Sequence, residues 1–163
     1  MIGIIGDGFV GSAIKKSLNN KNINVFSYDK YKQIGSLNYL LKCNIIFLCL
    51  PTPFIDNFGY DLSSIKENLL FLSKNNYDGL IVIKSTVSIG TCYQLSKSYN
   101  LNICHNPEFL TQRTAYEDFH NQKNIIIGYD QSPSDLKNII GIYSKYNAKI
   151  NLCTTKESEA AKL

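Results

Sequence analysis

The residues best suited to chemistry begin almost at once. Gly6, Gly8 and Gly11 stand in the pattern G-x-G-x-x-G, after the apolar run 2–5 and before Ser12-Ala13-Ile14-Lys15-Lys16, which reads as the opening of a helix. In a strand–turn–helix, the first glycine permits a tight turn and the second lets a pyrophosphate approach the backbone. The third lets helix and strand pack closely. The N–H groups and positive dipole end of the helix then favour phosphate. Asp29 closes a second apolar run, 23–28, close to the spacing at which a carboxylate meets a ribose hydroxyl. Glycines in this pattern also occur in ordinary turns. The flanking strand, helix and acid favour a dinucleotide site here.

Three later stretches each follow an apolar run. Leu50-Pro51-Thr52-Pro53 is stiff and poor in donors, with Thr52 its available hydroxyl. Taken alone it is also a plain rigid exit from a strand. Lys84-Ser85-Thr86-Val87-Ser88-Ile89-Gly90-Thr91 clusters hydroxyls that can orient a substrate or water, or simply cap a helix. His105-Asn106-Pro107-Glu108-Phe109-Leu110 offers a carboxylate. At the edge of a sheet, Glu108 can serve as acid or base, or as a first-turn glutamate favoured by a helix dipole.

The elements that must position these residues alternate along the chain. Strand-like runs are expected at 2–5, 23–28, 45–50, 80–83, 101–104, 125–127 and 148–153, with helices at 10–19, 37–42, 62–74, 89–99 and 133–145. Ser64 and Glu67 have capping-box spacing at the third helix. Such alternation implies right-handed crossovers and a doubly wound α/β domain: a mostly parallel sheet with helices on both faces. Ligands then sit at the carboxyl ends of the strands. Residues 154–163 read as a new helix capped by Thr155, too short to be stable without a packing partner.

Composition narrows the class. A chain of 163 residues with 44% hydrophobic content fits one globular domain. The net charge of +4 is spread without a basic cluster, so the lysines read as solvated surface and a nucleic-acid partner has little support. The five cysteines, Cys43, Cys49, Cys92, Cys104 and Cys153, form no C-x-x-C pair. Their odd number, and a first strand that begins at residue 2, fit reduced thiols in a cytoplasmic protein. No apolar run is long enough to span a bilayer, so no membrane partner is expected.

Taken in order, G-x-G-x-x-G, Asp29, LPTP, KSTVSIGT, NPEFL and TTKESEAAKL resemble the UDP-glucose/GDP-mannose dehydrogenase family. The resemblance covers nearly the whole chain but the amino-terminal half of a family member. It implies a Rossmann-type domain over 1–153 that binds NAD, residues 154–163 as the start of a connecting helix, and carboxyl-terminal domains absent from this sequence. The implied reaction is oxidation of a sugar-nucleotide C6 alcohol to a carboxylate in two hydride transfers. Gly6, Gly8, Phe9, Val10 and Gly11 would form the NAD turn, and Asp29 would hold the adenosine ribose. Leu50, Pro51, Thr52, Ser85 and Thr86 would line the cofactor. Thr86, Glu108 and Lys162 would be the catalytic set, with Lys162 offsetting negative charge on the substrate oxygen.

The departures from the family matter too. Its nucleophilic cysteine lies in the absent part, and none of the five cysteines here has that context. Gln112 stands where a second glutamate usually follows NPEFL, and the segment between Asp29 and Asn44 is unusually short. Arg113, the single arginine, can grip a phosphate or lie on the surface. The expected partners are NAD, a UDP- or GDP-linked sugar, and a second chain: a homodimer mate, or a complementing chain carrying the cysteine. The rival readings are a non-catalytic NAD-binding or interaction module and a dehydrogenase limited to one hydride transfer.

Overall fold

The computed structural model describes residues 1–163. Its strands are β1 (Ile2–Ile5), β2 (Val25–Tyr28), β3 (Ile45–Leu48), β4 (Phe54–Ile55), β5 (Gly59–Tyr60), β6 (Leu80–Ile83), β7 (Asn102–His105), β8 (Asn124–Gly128) and β9 (Lys149–Cys153). Its helices are α1 (Phe9–Asn20), α2 (Leu37–Leu40), α3 (Ser63–Lys74), α4 (Thr91–Tyr99), α5 (Ala115–His120), α6 (Lys137–Tyr143) and α7 (Thr155–Lys162). Seven strands form one sheet in the order β2-β1-β3-β6-β7-β8-β9, while β4 and β5 make a separate hairpin. All pairings in the large sheet are parallel except β7 with β8, which meet antiparallel at His105 and Gly128.

The alternation of side chains splits the core in two. Ile2, Ile4, Phe47 and Val82 face α1, α5 and α6, packing with Phe119 and Tyr143. Ile5, Ile46, Ile81 and Ile83 face the other way, packing with Leu69, Leu72 and Leu95 of α3 and α4. β1, β3 and β6 are buried at every residue, as continuous apolar runs in a covered parallel sheet should be. Fully burying one such isoleucine contributes about 2 kcal/mol.

The register decides what happens at the edge. Ile5 pairs with both Tyr28 and Leu48, Leu48 with Ile83, and Ile83 with His105. The next residues in the chain, Asp29, Gly6, Cys49, Lys84 and Asn106, therefore leave the sheet side by side.

Several local expectations need correction. α3 is preceded by Leu62 with no side-chain cap from Ser64. Instead, an Asp61 carboxylate oxygen accepts from the Ser63 N–H at 2.8 Å. α4 begins at Thr91 rather than 89, and the segment from Pro133 opens as a 3₁₀ turn before α6. Helix α5 and the β4–β5 hairpin were not expected: the first has few apolar residues at helical spacing, and the second is two residues per strand.

The last helix is capped by Thr154, one residue before the expected Thr155. Thr154 and Glu157 form a reciprocal capping box. Its packing partner is the sheet edge itself. Thr155 N–H donates to Asp130 Oδ1 at 3.1 Å, and Ser158 Oγ lies 2.7 Å from His105 Nδ1. Glu159 has no exposed surface, and its carboxylate accepts from the N–H groups of Gly90 at 2.5 Å and Cys92 at 2.7 Å. A glutamate of α7 thus caps the start of α4.

Replacing Glu159 with Ala leaves two buried N–H donors without acceptors, at a cost of about 2–4 kcal/mol. Urea unfolding should register that loss with the slope unchanged, and an unchanged midpoint would show that the cap adds nothing.

Candidate functional site

A crevice runs along the aligned strand ends, across the point between β1 and β3 where the strand order reverses. It has two lobes that share Gly8, Cys49, Leu50 and Pro51. The lobe on the β2 side holds about 470 Å³ between Tyr28, Asp29 and the α3 residues Asn68 and Phe71. The lobe on the β6 side holds about 380 Å³ and is lined by Phe9, Val10, Thr52, Lys84, Thr86 and Glu108, with Ser85 beside them.

The three glycines at the crevice floor have different jobs. Gly6 has φ +95, and a Cβ there would fall 2.4 Å from the Cys49 carbonyl oxygen. At Gly11 a Cβ would fall 1.9 Å from the Gly6 carbonyl oxygen. Packing alone therefore requires both, and Gly11 acts through helix–strand contact rather than by lining the crevice. Gly8 has extended backbone at φ −74 and ψ −162, and nothing lies within 4 Å of the place a Cβ would take. The open space above it, next to helix N–H groups that have no intrahelical acceptor, is what a pyrophosphate requires.

Asp29 is the hub of the β2-side lobe. Its carboxylate accepts from the N–H groups of Asp7 at 2.8 Å, Lys32 at 2.9 Å and Tyr31 at 3.0 Å. Burial opposes its ionisation, but these donors outweigh burial and hold the carboxyl below its usual value. The lysines that follow it are both engaged. Lys30 pairs with Glu67 of α3 at 2.8 Å, and Lys32 Nζ donates to the Asp7 carbonyl.

In the other lobe, two hydroxyls are spent on stitching the loops together. Ser85 Oγ donates to the Leu50 carbonyl at 2.5 Å, and Thr52 Oγ1 to the Thr86 carbonyl at 2.6 Å. Thr86 keeps its own hydroxyl free of the protein. Glu108 Oε2 accepts from the Leu110 N–H at 2.7 Å, and its Oε1 lies 3.2 Å from Lys162 Nζ, which also donates to the Glu108 carbonyl. Thr86 and Glu108 thus share one lobe, and Lys162, carried in by α7, is joined to Glu108. Arg113 and Gln112 lie exposed on a 3₁₀ turn, and Arg113 makes no ion pair.

Lys84 corrects the view of the lysines as solvated surface. It is 2% exposed, its Nζ donates to Asn106 Oδ1 at 2.8 Å, and burial pushes its ammonium down to about 8. Strand alternation carries the signal: Lys84 continues the face of Leu80 and Val82 one step past the end of β6. Burial also pushes the thiols of Cys49 and Cys104 up to about 12 and the His105 imidazole down to about 4, so all three are neutral at pH 7.

Comparison with known proteins agrees with this geometry. Residues 32–147 match the UDP-glucose/GDP-mannose dehydrogenase family, NAD binding domain. A UDP-glucose 6-dehydrogenase from Rickettsia prowazekii is 34% identical over 141 residues, covering 82% of this chain and 32% of that protein. The chain thus spans about a third of that relative's length. Among solved structures, a UDP-glucose dehydrogenase from Pyrobaculum islandicum superposes with a TM-score of 0.88 at 18% identity. The match covers 99% of this chain and 48% of the other. A GDP-mannose dehydrogenase from Pseudomonas aeruginosa gives 0.82 at 20% identity, with coverage of 99% and 48%. At these identities the superpositions establish the fold. No helix is long and apolar enough to cross a membrane.

Gly8→Val tests the crevice floor directly. The backbone there accepts a side chain, so circular dichroism should stay native while dinucleotide affinity falls at least tenfold, about 1.4 kcal/mol. Unchanged affinity in calorimetry would reduce the motif to an ordinary turn.

Proposed function

The chain belongs to the UDP-glucose/GDP-mannose dehydrogenase family, and from that premise we propose that it is the cofactor-holding part of a nucleotide-sugar 6-dehydrogenase. The observation that carries this reading is the two-lobed crevice astride Gly8, with Thr86 and the Glu108–Lys162 pair at one end. Residues 1–153 hold the cofactor, and residues 154–163 belong to the helix that leads toward the substrate-binding parts of full-length relatives. UDP-glucose is the first substrate to test, because the Rickettsia prowazekii relative is named for it.

The residues fit NAD. The open space at Gly8 and the start of α1 suit the pyrophosphate, with Phe9 and Val10 as the wall of the second lobe. Asp29 faces the lobe suited to an adenosine ribose, and Leu50, Pro51, Thr52, Ser85 and Thr86 form the shelf between the lobes and along the second. Bound NAD supplies the acceptor for a hydride from a carbinol carbon. The protein's own part is proton and charge handling. The Glu108 carboxylate takes the proton of the alcohol, directly or through a water held by the Thr86 hydroxyl. The Lys162 ammonium holds Glu108 in place and offsets negative charge on the alcohol oxygen.

A four-electron oxidation to the uronic acid asks for more. Its second stage, in the family's chemistry, needs a thiolate at the substrate carbon. Cys49 and Cys104 are held at about 12 by burial, and burial raises Cys43, Cys92 and Cys153 as well. None is poised as a nucleophile.

Two outcomes follow for the purified 163-residue chain. NAD should bind at least tenfold tighter than NADP, because the Asp29 and Glu67 carboxylates repel a 2′-phosphate while Lys30 and Lys32 are already engaged. Equal or tighter NADP binding in calorimetry would sink the Asp29 assignment. With UDP-glucose or GDP-mannose and NAD, mass spectrometry should find no uronic acid product and at most a trace of NADH. Detection of UDP-glucuronate would overturn the reading of the cysteines.

A further inference from the structure

Lys84 is a buried cation whose charge the protein leaves uncancelled. It lies at the floor of the β6-side lobe, 2% exposed, and takes no part in the three ion pairs of the chain. Its one protein acceptor is neutral. Asn106 Oδ1 receives Lys84 Nζ at 2.8 Å and the Tyr143 hydroxyl as well, while Asn106 Nδ2 donates to the Ile126 carbonyl at 2.6 Å. That arrangement fixes the amide oxygen toward the lysine but supplies no counter-charge.

The groups packed closest around it are neutral as well. Cys49, at the exit of β3, and Cys104, in β7, are neutral thiols, and His105 is a neutral imidazole. Phe119 of α5 presents its ring 5.8 Å from Nζ. Glu108 is the one anion facing Lys84, and both its oxygens are already committed, Oε1 to Lys162 and Oε2 to the Leu110 N–H. Lys162 itself adds a second positive charge to that side.

A nicotinamide ring exists in two charge states. The oxidised ring is a cation and the reduced ring is neutral. Lys84 is itself almost fully shielded from water, and a fixed ammonium so shielded at the floor of the lobe repels the first and not the second. We propose that Lys84 makes this crevice discriminate by charge between the two forms, weakening oxidised and sparing reduced nicotinamide. The consequence is functional: a site that holds the reduced form more tightly makes the bound oxidised form a stronger hydride acceptor. Each tenfold in that affinity ratio raises the two-electron potential by about 30 mV.

This inference rests on the dinucleotide reading given above and deepens it. It also has a pH signature that a packing role lacks. Burial brings the Lys84 ammonium down to about 8, whereas the neighbouring thiols near 12 and the imidazole near 4 stay neutral from pH 7 to 9. Raising the pH through 8 should remove the repulsion and strengthen binding of oxidised nicotinamide alone.

The test is a pair of titrations, NAD⁺ by calorimetry and NADH by fluorescence, on the unaltered chain and on Lys84→Met at pH 7 and 9. The substitution should tighten NAD⁺ about tenfold at pH 7 and leave NADH within about threefold. In the unaltered chain NAD⁺ should tighten between pH 7 and 9 with NADH flat, and in Lys84→Met neither should change. Equal shifts for both forms in the variant, or a pH-independent NAD⁺ affinity in the unaltered chain, would overturn the proposal. If Lys84→Met does not fold, the pH titrations of the unaltered chain decide the matter alone. Failure to bind either form would remove the dinucleotide reading and this inference together. Binding of both forms at an unaltered ratio would remove this inference only.

Discussion

A carboxylate with no exposed surface links the last helix of the chain to the crevice. Glu159 gives up its hydration and receives in return two backbone N–H groups at the start of α4. Charge-assisted bonds of this kind, at the positive end of a helix dipole, are among the few arrangements that offset the desolvation of an unpaired anion. The bond acts in both directions. It ends the loop that carries Thr86 at a fixed point, and it seats an eight-residue helix that would not hold its shape alone. Lys162 reaches Glu108 because that helix is seated. Thr155 on Asp130 and Ser158 on His105 hold the same helix, so the buried carboxylate is one of three anchors that bring the lysine to the glutamate.

The same edge shows how a low-dielectric floor sorts ionisable groups. Cys49, Cys104 and His105 lose their charged forms to burial, while Glu108 and Lys162 meet as an ion pair at 3.2 Å. Lys84 is left between, buried and held by a neutral amide. An uncompensated buried cation is costly for folding, and its persistence at the floor of a cavity suggests use by a ligand more readily than use by the fold.

The β2 side is built more sparingly. With few residues between Asp29 and Ile45, β2 is the outer strand and stays half-exposed along its whole length. The loop after it closes on itself through the Asp29 carboxylate and a backbone bridge between Asp29 and Ile34. Asp29 therefore does structural work as well as facing the cavity. α3 supplies the remaining wall, which brings Glu67 to the same rim as Asp29.

Much of this was legible in the residues themselves. Ile2–Ile5, Ile45–Leu48 and Leu80–Ile83 are too apolar for anything but a covered parallel sheet, and the G-x-G-x-x-G turn is specified locally by two glycines that no side chain could replace. Asp29, Thr86 and Glu108 each follow a strand-like run, which places all three at one edge of the sheet, because parallel strands align their exits. Local pattern could not reach contacts made across long separations. Glu159 meets Gly90 and Cys92, Ser158 meets His105, and Lys162 meets Glu108, each more than 50 residues away in the chain. In sequence, TTKESEAAKL is a polar helix with no visible reason to stay folded. Lys84 is one lysine among sixteen, ordinary by type and buried where Asn106 and the Phe119 ring meet it past the end of β6. Periodicity and turn chemistry settle which elements form and which face is apolar; which charges share a cavity depends on tertiary packing, because desolvation and pairing arise only when distant segments meet.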